Sequence, residues 1–211
     1  MRENMIYNPG IYQLRESTLE RMLDIIHKRR QSRPQQVVFF GDSLIEFWNL
    51  NKYITSVRNL YNCGIAGATT DQLLAMVDEA VIKYQPQTVV LLVGTNDLGN
   101  TVMHSPREIA VNVNHIAEVI THNLPHAELI ILSPLPALRE QTYPQVKGIR
   151  DNTLLKSIYD LEKECVLSSH TLILNPFDLF INHEDYYEDG LHLNEKGYQV
   201  LSSFLQSHFT F

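Results

Sequence analysis

The chain has 211 residues, of which 44% are hydrophobic and 19% are charged, and its formal net charge is -7 at pH 7. This composition is typical of a folded globular domain and excludes a disordered chain. A nucleic-acid partner is disfavoured, because the chain is acidic and has no basic run longer than Lys28-Arg29-Arg30. The length predicts a single domain over residues 1–211, in which residues 1–35 form an N-terminal helical extension.

The ends and the cysteines of the chain bear on its location. The first residues, MRENMIYNPGIYQ, have no apolar core of signal-peptide length, and the longest apolar run, residues 89–93, is too short to span a bilayer. Two cysteines, Cys63 and Cys165, are typical of a reduced chain. We therefore expect a cytoplasmic protein that does not insert into membranes, and the sequence leaves a homodimer open.

Hydrophobic patterning predicts alternating helices and strands. The first helix has an apolar face formed by Leu19, Met22, Leu23 and Ile26. Ser17 and Glu20 form its predicted capping box. The predicted strands are residues 36–40, 57–62, 88–93, 127–133 and 171–175. The helices between and after them are marked by Thr69 with Gln72, by Ser105 with Glu108, by Leu154, Ile158, Leu161 and Cys165, and by Asn194.

This order predicts a five-stranded, mainly parallel sheet with helices on both faces. Right-handed crossovers place every loop that follows a strand at one rim of such a sheet, where ligands bind. The longest irregular stretch, residues 133–148, is a candidate substrate-lining loop.

The first predicted strand ends in Gly41-Asp42-Ser43. This tripeptide is typical of a turn in which Asp42 or Ser43 caps the next helix. It also fits a serine nucleophile held at the rim of the sheet. Asp42, and likewise Asp97, we interpret as a capping or loop-bracing residue.

Four polar segments gather at the predicted rim, and together they suit acyl transfer. A serine such as Ser43 needs a general base, which His192 can supply, and Asp189 can hold the second ring nitrogen of that histidine. The backbone N–H groups of Ser43 and Gly67 and the side-chain amide of Asn96 can donate to an oxyanion. A short apolar set is expected to line an acyl pocket: Leu44, Phe47, Trp48, Leu98 and Leu191.

The same segments resemble the four blocks of the GDSL/SGNH hydrolases. Gly41-Asp42-Ser43-Leu44 matches the first block, Gly67 the second, Gly94-Thr95-Asn96-Asp97 the third and Asp189-Gly190-Leu191-His192 the last. The longer strings VVLLVGTNDLGN and DGLHLNEKGYQVLS are similar to the platelet-activating-factor acetylhydrolase-like branch. The resemblance covers the chain from about residue 36 to its end.

The resemblance implies a flavodoxin-like, three-layer α/β/α fold with a central five-stranded sheet. It also implies a serine esterase that cleaves short-chain carboxylic esters, acetyl esters especially, through an acyl-serine intermediate. No metal and no other cofactor is implied, and the expected partner is a small-molecule ester.

Other functions are also compatible with parts of the sequence. A carbohydrate or cell-wall O-acetyl esterase would use the same residues on another leaving group. A non-catalytic ligand-binding module, or a flavin or nucleotide binder, would use the same sheet, although no phosphate-binding glycine loop is present. A metal site would have to come from His183, Glu184, Asp185 and His192, which we consider the weakest alternative.

Overall fold

A computed structural model describes residues 16–33, 36–57, 59–99, 103–138, 150–168 and 170–210. Most of the predicted substrate-lining loop, residues 139–148, and the first part of the predicted N-terminal extension lie outside these ranges. Within them, no helix combines the length and the apolar character needed to cross a membrane. Cys63 and Cys165 are both free thiols.

The five strands form one parallel sheet, as predicted. They are β1 (Val37–Gly41), β2 (Leu60–Gly64), β3 (Thr88–Leu92), β4 (Glu128–Leu132) and β5 (Thr171–Leu174). Their order in the sheet is β2-β1-β3-β4-β5, and every neighbouring pair is parallel. This is the flavodoxin-like order. Strands are added on one side of β1 and then on the other, and this change of side leaves a crevice at the carboxyl ends of the strands.

Helices cover both faces of the sheet. They are α1 (Glu16–Arg29), α2 (Ser43–Glu46), α3 (Leu50–Tyr53), α4 (Thr70–Ala80), α5 (Thr95–Gly99), α6 (Pro106–Asn123), α7 (Asn152–Cys165) and α8 (Glu195–His208). Short 3₁₀ helices lie at Ile82–Tyr84, Phe177–Leu179 and Glu184–Tyr186. The predicted capping box of α6 is present, since Ser105 accepts from the Glu108 N–H while the Glu108 carboxylate accepts from the Ser105 N–H.

The alternation of side chains along each strand divides the core into two layers. In β1, Val38 and Phe40 face the layer covered by α1, α4, α6 and α7. Val37 and Phe39 face the other layer, which is covered by α2, α3 and α8. The three-layer α/β/α architecture predicted from the sequence is confirmed.

Two local predictions are wrong. The second strand was expected at residues 57–62, but β2 continues to Gly64, because Cys63 and Gly64 pair with Phe40 and Gly41 of β1. This pairing extends the strand into the segment that the glycines had marked as a loop.

The first helix also faces the sheet differently from the prediction. Thr18 and Ile25 are buried, whereas Leu19 and Leu23 are 44% and 53% exposed, and Ser17 lies inside α1 rather than at its N-cap. This orientation of α1 follows from a polar contact. Arg21 donates hydrogen bonds to backbone carbonyls of β2 and thereby sets the rotation of the helix about its axis.

Candidate active site

The rim at the carboxyl ends of the strands carries the polar residues singled out in the sequence. Ser43 follows β1, Gly67 follows β2, Asn96 follows β3, and His192 lies in the loop that leads into α8. The segments after β1 and β2 are held together because the Ile65 N–H donates to the Gly41 carbonyl at 2.8 Å. Parallel pairing of the strands thus brings distant parts of the chain to one edge.

Ser43 is the first residue of α2, directly after its N-cap. Asp42 is the cap, and its carboxylate accepts a hydrogen bond of 2.9 Å from the Leu44 N–H. The sharp transition from strand to helix leaves the Ser43 side chain at the rim, where the residue is 7% exposed. Asp42 therefore caps α2, as the sequence predicted.

A chain of hydrogen-bond contacts links Ser43 to His192 and His192 to Asp189. The His192 Nε2 atom is 2.9 Å from the Ser43 Oγ, and its Nδ1 atom is 2.8 Å from the Asp189 Oδ2. Because a carboxylate only accepts, the proton of the neutral ring belongs on Nδ1, and Nε2 is left to accept from the serine hydroxyl.

The loop from Asp189 to His192 is tightly folded. The second carboxylate oxygen of Asp189 accepts from the backbone N–H groups of Leu191 and His192 at 2.9 and 2.7 Å. Gly190 has a φ of 86°, a conformation that residues with a Cβ rarely adopt. The turn itself therefore brings the carboxylate back to the imidazole ring.

Gly67 occupies an open position in the loop between β2 and α4. Its φ is 78°, and a Cβ built on it would meet no atom within 4 Å. The same loop is anchored on its other side, since the Ala66 N–H donates to the Glu46 carboxylate at 2.6 Å. The space beside Gly67 allows a ligand to approach the backbone closely.

Asn96 is buried at the start of α5, and both ends of its amide have partners. Its Nδ2 donates to the Ala68 carbonyl at 3.1 Å, which links the segments after β2 and β3. Its Oδ1 accepts from the Arg150 guanidinium at 3.2 Å. Arg150 was missed at the sequence level, because no local pattern marks a single arginine at the end of a long irregular stretch.

Two buried carboxyl groups support these loops. Burial raises the pKa of Asp42 to about 7, with a further increase from nearby Asp97 that the Leu44 N–H and Arg150 oppose. Asp97 accepts from the backbone N–H and hydroxyl of Thr70 and contacts His104 Nδ1 at 3.2 Å. Asp97 therefore ties α5 to α4, which agrees with the bracing role predicted for it.

The apolar residues predicted to contact substrate lie almost entirely in the core. Trp48 is 2% exposed, its ring lies 5.8 Å from the tilted ring of Tyr198, and its indole N–H donates to Ser202 at 3.0 Å. Leu44 packs in the same layer, while Leu98 and Leu191 lie in the opposite layer. Phe47 differs from them, because it is 52% exposed and its ring lies edge-on to the His192 ring, with 5.3 Å between centroids.

The residues of the metal-site alternative are not arranged around one point. His192 uses its ring nitrogens toward Ser43 and Asp189, whereas His183 stacks on Tyr186 and lies 3.5 Å from Asp185. Across the described ranges, no group of three or more histidine, cysteine or acidic side chains has the geometry to hold a metal ion.

This geometry has a definite chemical capacity. A hydroxyl, an imidazole and a carboxylate in sequence can transfer a proton as the hydroxyl attacks an acyl carbon. Neighbouring backbone and amide N–H groups can stabilise the negative charge that forms on the acyl oxygen.

Comparison with known proteins agrees with this chemistry. The model of the GDSL-like lipase/acylhydrolase family matches residues 39–200. The chain is 27% identical over 173 residues to platelet-activating factor acetylhydrolase IB subunit alpha2 of Homo sapiens, which covers 80% of this chain and 73% of the relative. It is 24% identical over 196 residues to the isoamyl acetate-hydrolyzing esterase 1 homolog of Homo sapiens, with 81% and 79% covered.

A solved structure points to the same family. A protein of Streptococcus pneumonia, provisionally named a platelet activating factor, superposes with a TM-score of 0.81 at 26% identity, and 92% of each chain is covered. The family match spans most of the chain and includes all four polar segments at the rim. The chain belongs to the GDSL-like lipase/acylhydrolase family and is a carboxylic ester hydrolase similar to its platelet-activating-factor acetylhydrolase-like branch.

Proposed function

We propose that the protein hydrolyses short-chain carboxylic esters, acetyl esters in particular, through an acyl-serine intermediate. The observation that carries the proposal is the chain of contacts from Ser43 Oγ to His192 and from His192 to Asp189, at 2.9 and 2.8 Å. An esterase requires this order of nucleophile, base and orienting carboxylate.

In the first half of the reaction the Ser43 Oγ forms a bond to the ester carbonyl carbon and its proton passes to His192 Nε2. The charge on the carbonyl oxygen is stabilised by the N–H groups of Ser43 and Gly67 and by the Asn96 amide. His192 then returns the proton to the alcohol oxygen as the ester C–O bond breaks. Water repeats the sequence on the acyl-serine and releases the acid.

The preference for acetyl groups rests on the relatives. One relative is named an acetylhydrolase and another an isoamyl acetate-hydrolyzing esterase, at 27% and 24% identity. An O-acetylated carbohydrate would place the same acyl group on another alcohol, so the two substrate classes differ only in their leaving group. The homodimer and the cytoplasmic location stay predictions.

The test is hydrolysis of p-nitrophenyl esters from acetate to octanoate by the parent protein and by Ser43→Ala. We expect parent activity that falls as the acyl chain lengthens and loss of nearly all activity in Ser43→Ala, with an unchanged melting temperature because a single rim hydroxyl contributes little to stability. A fluorophosphonate should label the parent and leave the variant unlabelled.

Ser203→Ala is the matched control, because Ser203 lies exposed on α8 and its hydroxyl donates to the Gln199 carbonyl of the same helix. Its activity should equal that of the parent. Equal activity of Ser43→Ala and the parent would overturn the assignment of Ser43 as the nucleophile. Absence of both hydrolysis and labelling in the parent would favour the ligand-binding module instead.

A further inference from the structure

Arg150 contacts Asn96, and the reaction described above gives Arg150 no role. It lies directly before Asp151, the N-cap of α7, whose carboxylate accepts from the N–H groups of Thr153 and Leu154. The backbone of Arg150 is therefore fixed at the start of a helix, while its side chain extends to the loop after β3.

The guanidinium donates hydrogen bonds to that loop. Its Nη2 donates to the Asn96 Oδ1 at 3.2 Å, and its Nε donates to the Thr95 carbonyl at 3.3 Å. Gly99 leaves room for the Arg150 side chain, because a Cβ at this position would lie 2.6 Å from the Arg150 Cγ and Nε atoms. Glycine at this position and arginine at 150 are thus complementary in shape.

These contacts allow only one orientation of the Asn96 amide. A guanidinium only donates and a backbone carbonyl only accepts, so the amide oxygen must face Arg150 and the amide nitrogen must face Ala68. The nitrogen carries two protons. The Ala68 carbonyl takes one of them, and the other remains to donate to a substrate oxygen.

The charge of Arg150 acts in the same direction. The reaction develops negative charge in a site that already contains the Asp189 carboxylate, which lies 2.8 Å from His192 Nδ1. A hydrogen bond from a cation to an amide oxygen polarises the amide and strengthens donation from its nitrogen. The guanidinium also lies close enough to Asp42 to oppose the increase in its pKa.

Resting on the proposed function, we infer that Arg150 is a positioning residue for ester hydrolysis, which orients and polarises the Asn96 amide toward the developing oxyanion. It does so through Asn96 and does not itself touch the substrate. Its loss should therefore lower the rate of the chemical step and leave substrate binding almost unchanged.

A double-mutant cycle tests this role with p-nitrophenyl acetate. We expect Asn96→Ala to lower kcat about 100-fold or more, as for loss of one oxyanion donor. Arg150→Met should lower kcat by about 10- to 100-fold, with KM within about threefold, as for loss of a charged hydrogen bond. The combined variant should be no slower than Asn96→Ala alone, because the arginine has nothing left to orient.

Two further variants complete the design. Arg150→Lys keeps the charge but lacks the planar fork of donors that reaches Thr95 and Asn96 together, so it should recover part of the lost kcat. It carries the same cycle if Arg150→Met does not fold. Arg107→Met is the control, since Arg107 is an exposed arginine that pairs with Glu164 on the surface, and its kcat should match the parent.

The outcomes separate the two proposals. A kcat unchanged by the Arg150 substitutions, or effects of Arg150 and Asn96 that multiply, would overturn the positioning role while the esterase assignment stands. An unchanged kcat in Asn96→Ala would instead overturn the proposed oxyanion hole.

Discussion

Asp189 uses its two carboxylate oxygens for two separate tasks. One oxygen accepts from two backbone N–H groups and holds the turn, whereas the other accepts from the ring of His192. The first task concerns the shape of the loop and the second concerns the position of a proton. A substitution that preserves one oxygen acceptor can therefore separate structure from catalysis.

Asp189→Asn is such a substitution. The amide oxygen can still accept from the backbone, but the amide nitrogen would donate to His192 Nδ1 and force the ring proton onto Nε2, where it blocks acceptance from Ser43. We expect kcat for p-nitrophenyl acetate near neutral pH to fall by about 10⁴-fold, with the melting temperature almost unchanged.

Asp185→Asn is the control for the loss of one negative charge nearby. Asp185 is exposed and pairs with Lys196, so its substitution should change kcat little. A parent-like rate and pH–rate profile in Asp189→Asn would show that the pairing with His192 has no catalytic role.

At the scale of elements, α2 is positioned by the end of β2. The Asn62 amide donates to the carbonyls of Ile45 and Trp48, at 2.6 and 3.1 Å. At Gly64 the strand passes so close to α2 that a Cβ would lie 2.2 Å from the Glu46 nitrogen. Since α2 begins at Ser43, the edge strand determines where the serine lies.

Gly64→Ala should therefore displace α2. We expect a loss of about 3 kcal/mol in the free energy of unfolding, at the upper end of overpacking costs, together with a reduced kcat. Urea denaturation and p-nitrophenyl acetate hydrolysis measure the two effects.

Gly67→Ala is the comparison, because the same methyl group there enters open space. Its cost arises only from the positive φ and should be about 1 kcal/mol. If the two substitutions destabilised the protein equally, close packing of β2 against α2 would not be what positions the helix.

At the scale of the whole molecule, a buried acid makes stability depend on pH. Glu162 of α7 lies in the core and hydrogen-bonds to the Ser133 hydroxyl, and among the described residues its Oε1 has no hydrogen-bond partner. Burial raises its pKa from 4.5 to about 8, against the opposing effect of Ser133. The folded state thus holds a proton that the unfolded state releases above pH 4.5.

The folded protein should therefore lose stability as the pH rises from about 4.5 to about 8. Glu162→Gln removes this contribution while Asp42, whose pKa is also raised, retains its own. We expect the unfolding free energy of Glu162→Gln to improve relative to the parent by about 1 to 3 kcal/mol between pH 5.5 and pH 8, measured by urea denaturation.

Glu164→Gln, an exposed position on the same helix, should show no such change relative to the parent. A difference between Glu162→Gln and the parent that stays constant across this pH range would mean that Glu162 is ionised in the folded state throughout.

Much of this architecture was predictable from the chain alone. The strands β1 and β3 are continuous apolar runs because they are buried on both faces, and that burial leaves its mark in local composition. The blocks that contain Ser43 and Asn96 follow those strands directly, so the parallel topology was enough to bring these two residues to one rim.

Helix faces were harder to predict. In α1 the apolar residues Leu19 and Leu23 point outward, because Arg21 bonds to β2. In α7 the apolar residue Leu154, which marked this helix in the sequence, is 37% exposed, whereas the acidic residue Glu162 is buried. Periodicity assumes that apolar side chains face inward, and a specific polar contact can overrule that assumption.

The sequence by itself determined the strand order along the chain, the α/β class and the identity of the residues gathered at the rim, since local hydrophobic pattern and short motifs encode them. The tertiary structure alone decided that Trp48 belongs to the core, that Phe47 faces His192 and that Arg150 holds Asn96. Those relations join residues 54 to 154 positions apart, as with Arg150 to Asn96 and Trp48 to Ser202. No local pattern records them, because a buried polar group is satisfied by whatever partner the fold brings to it.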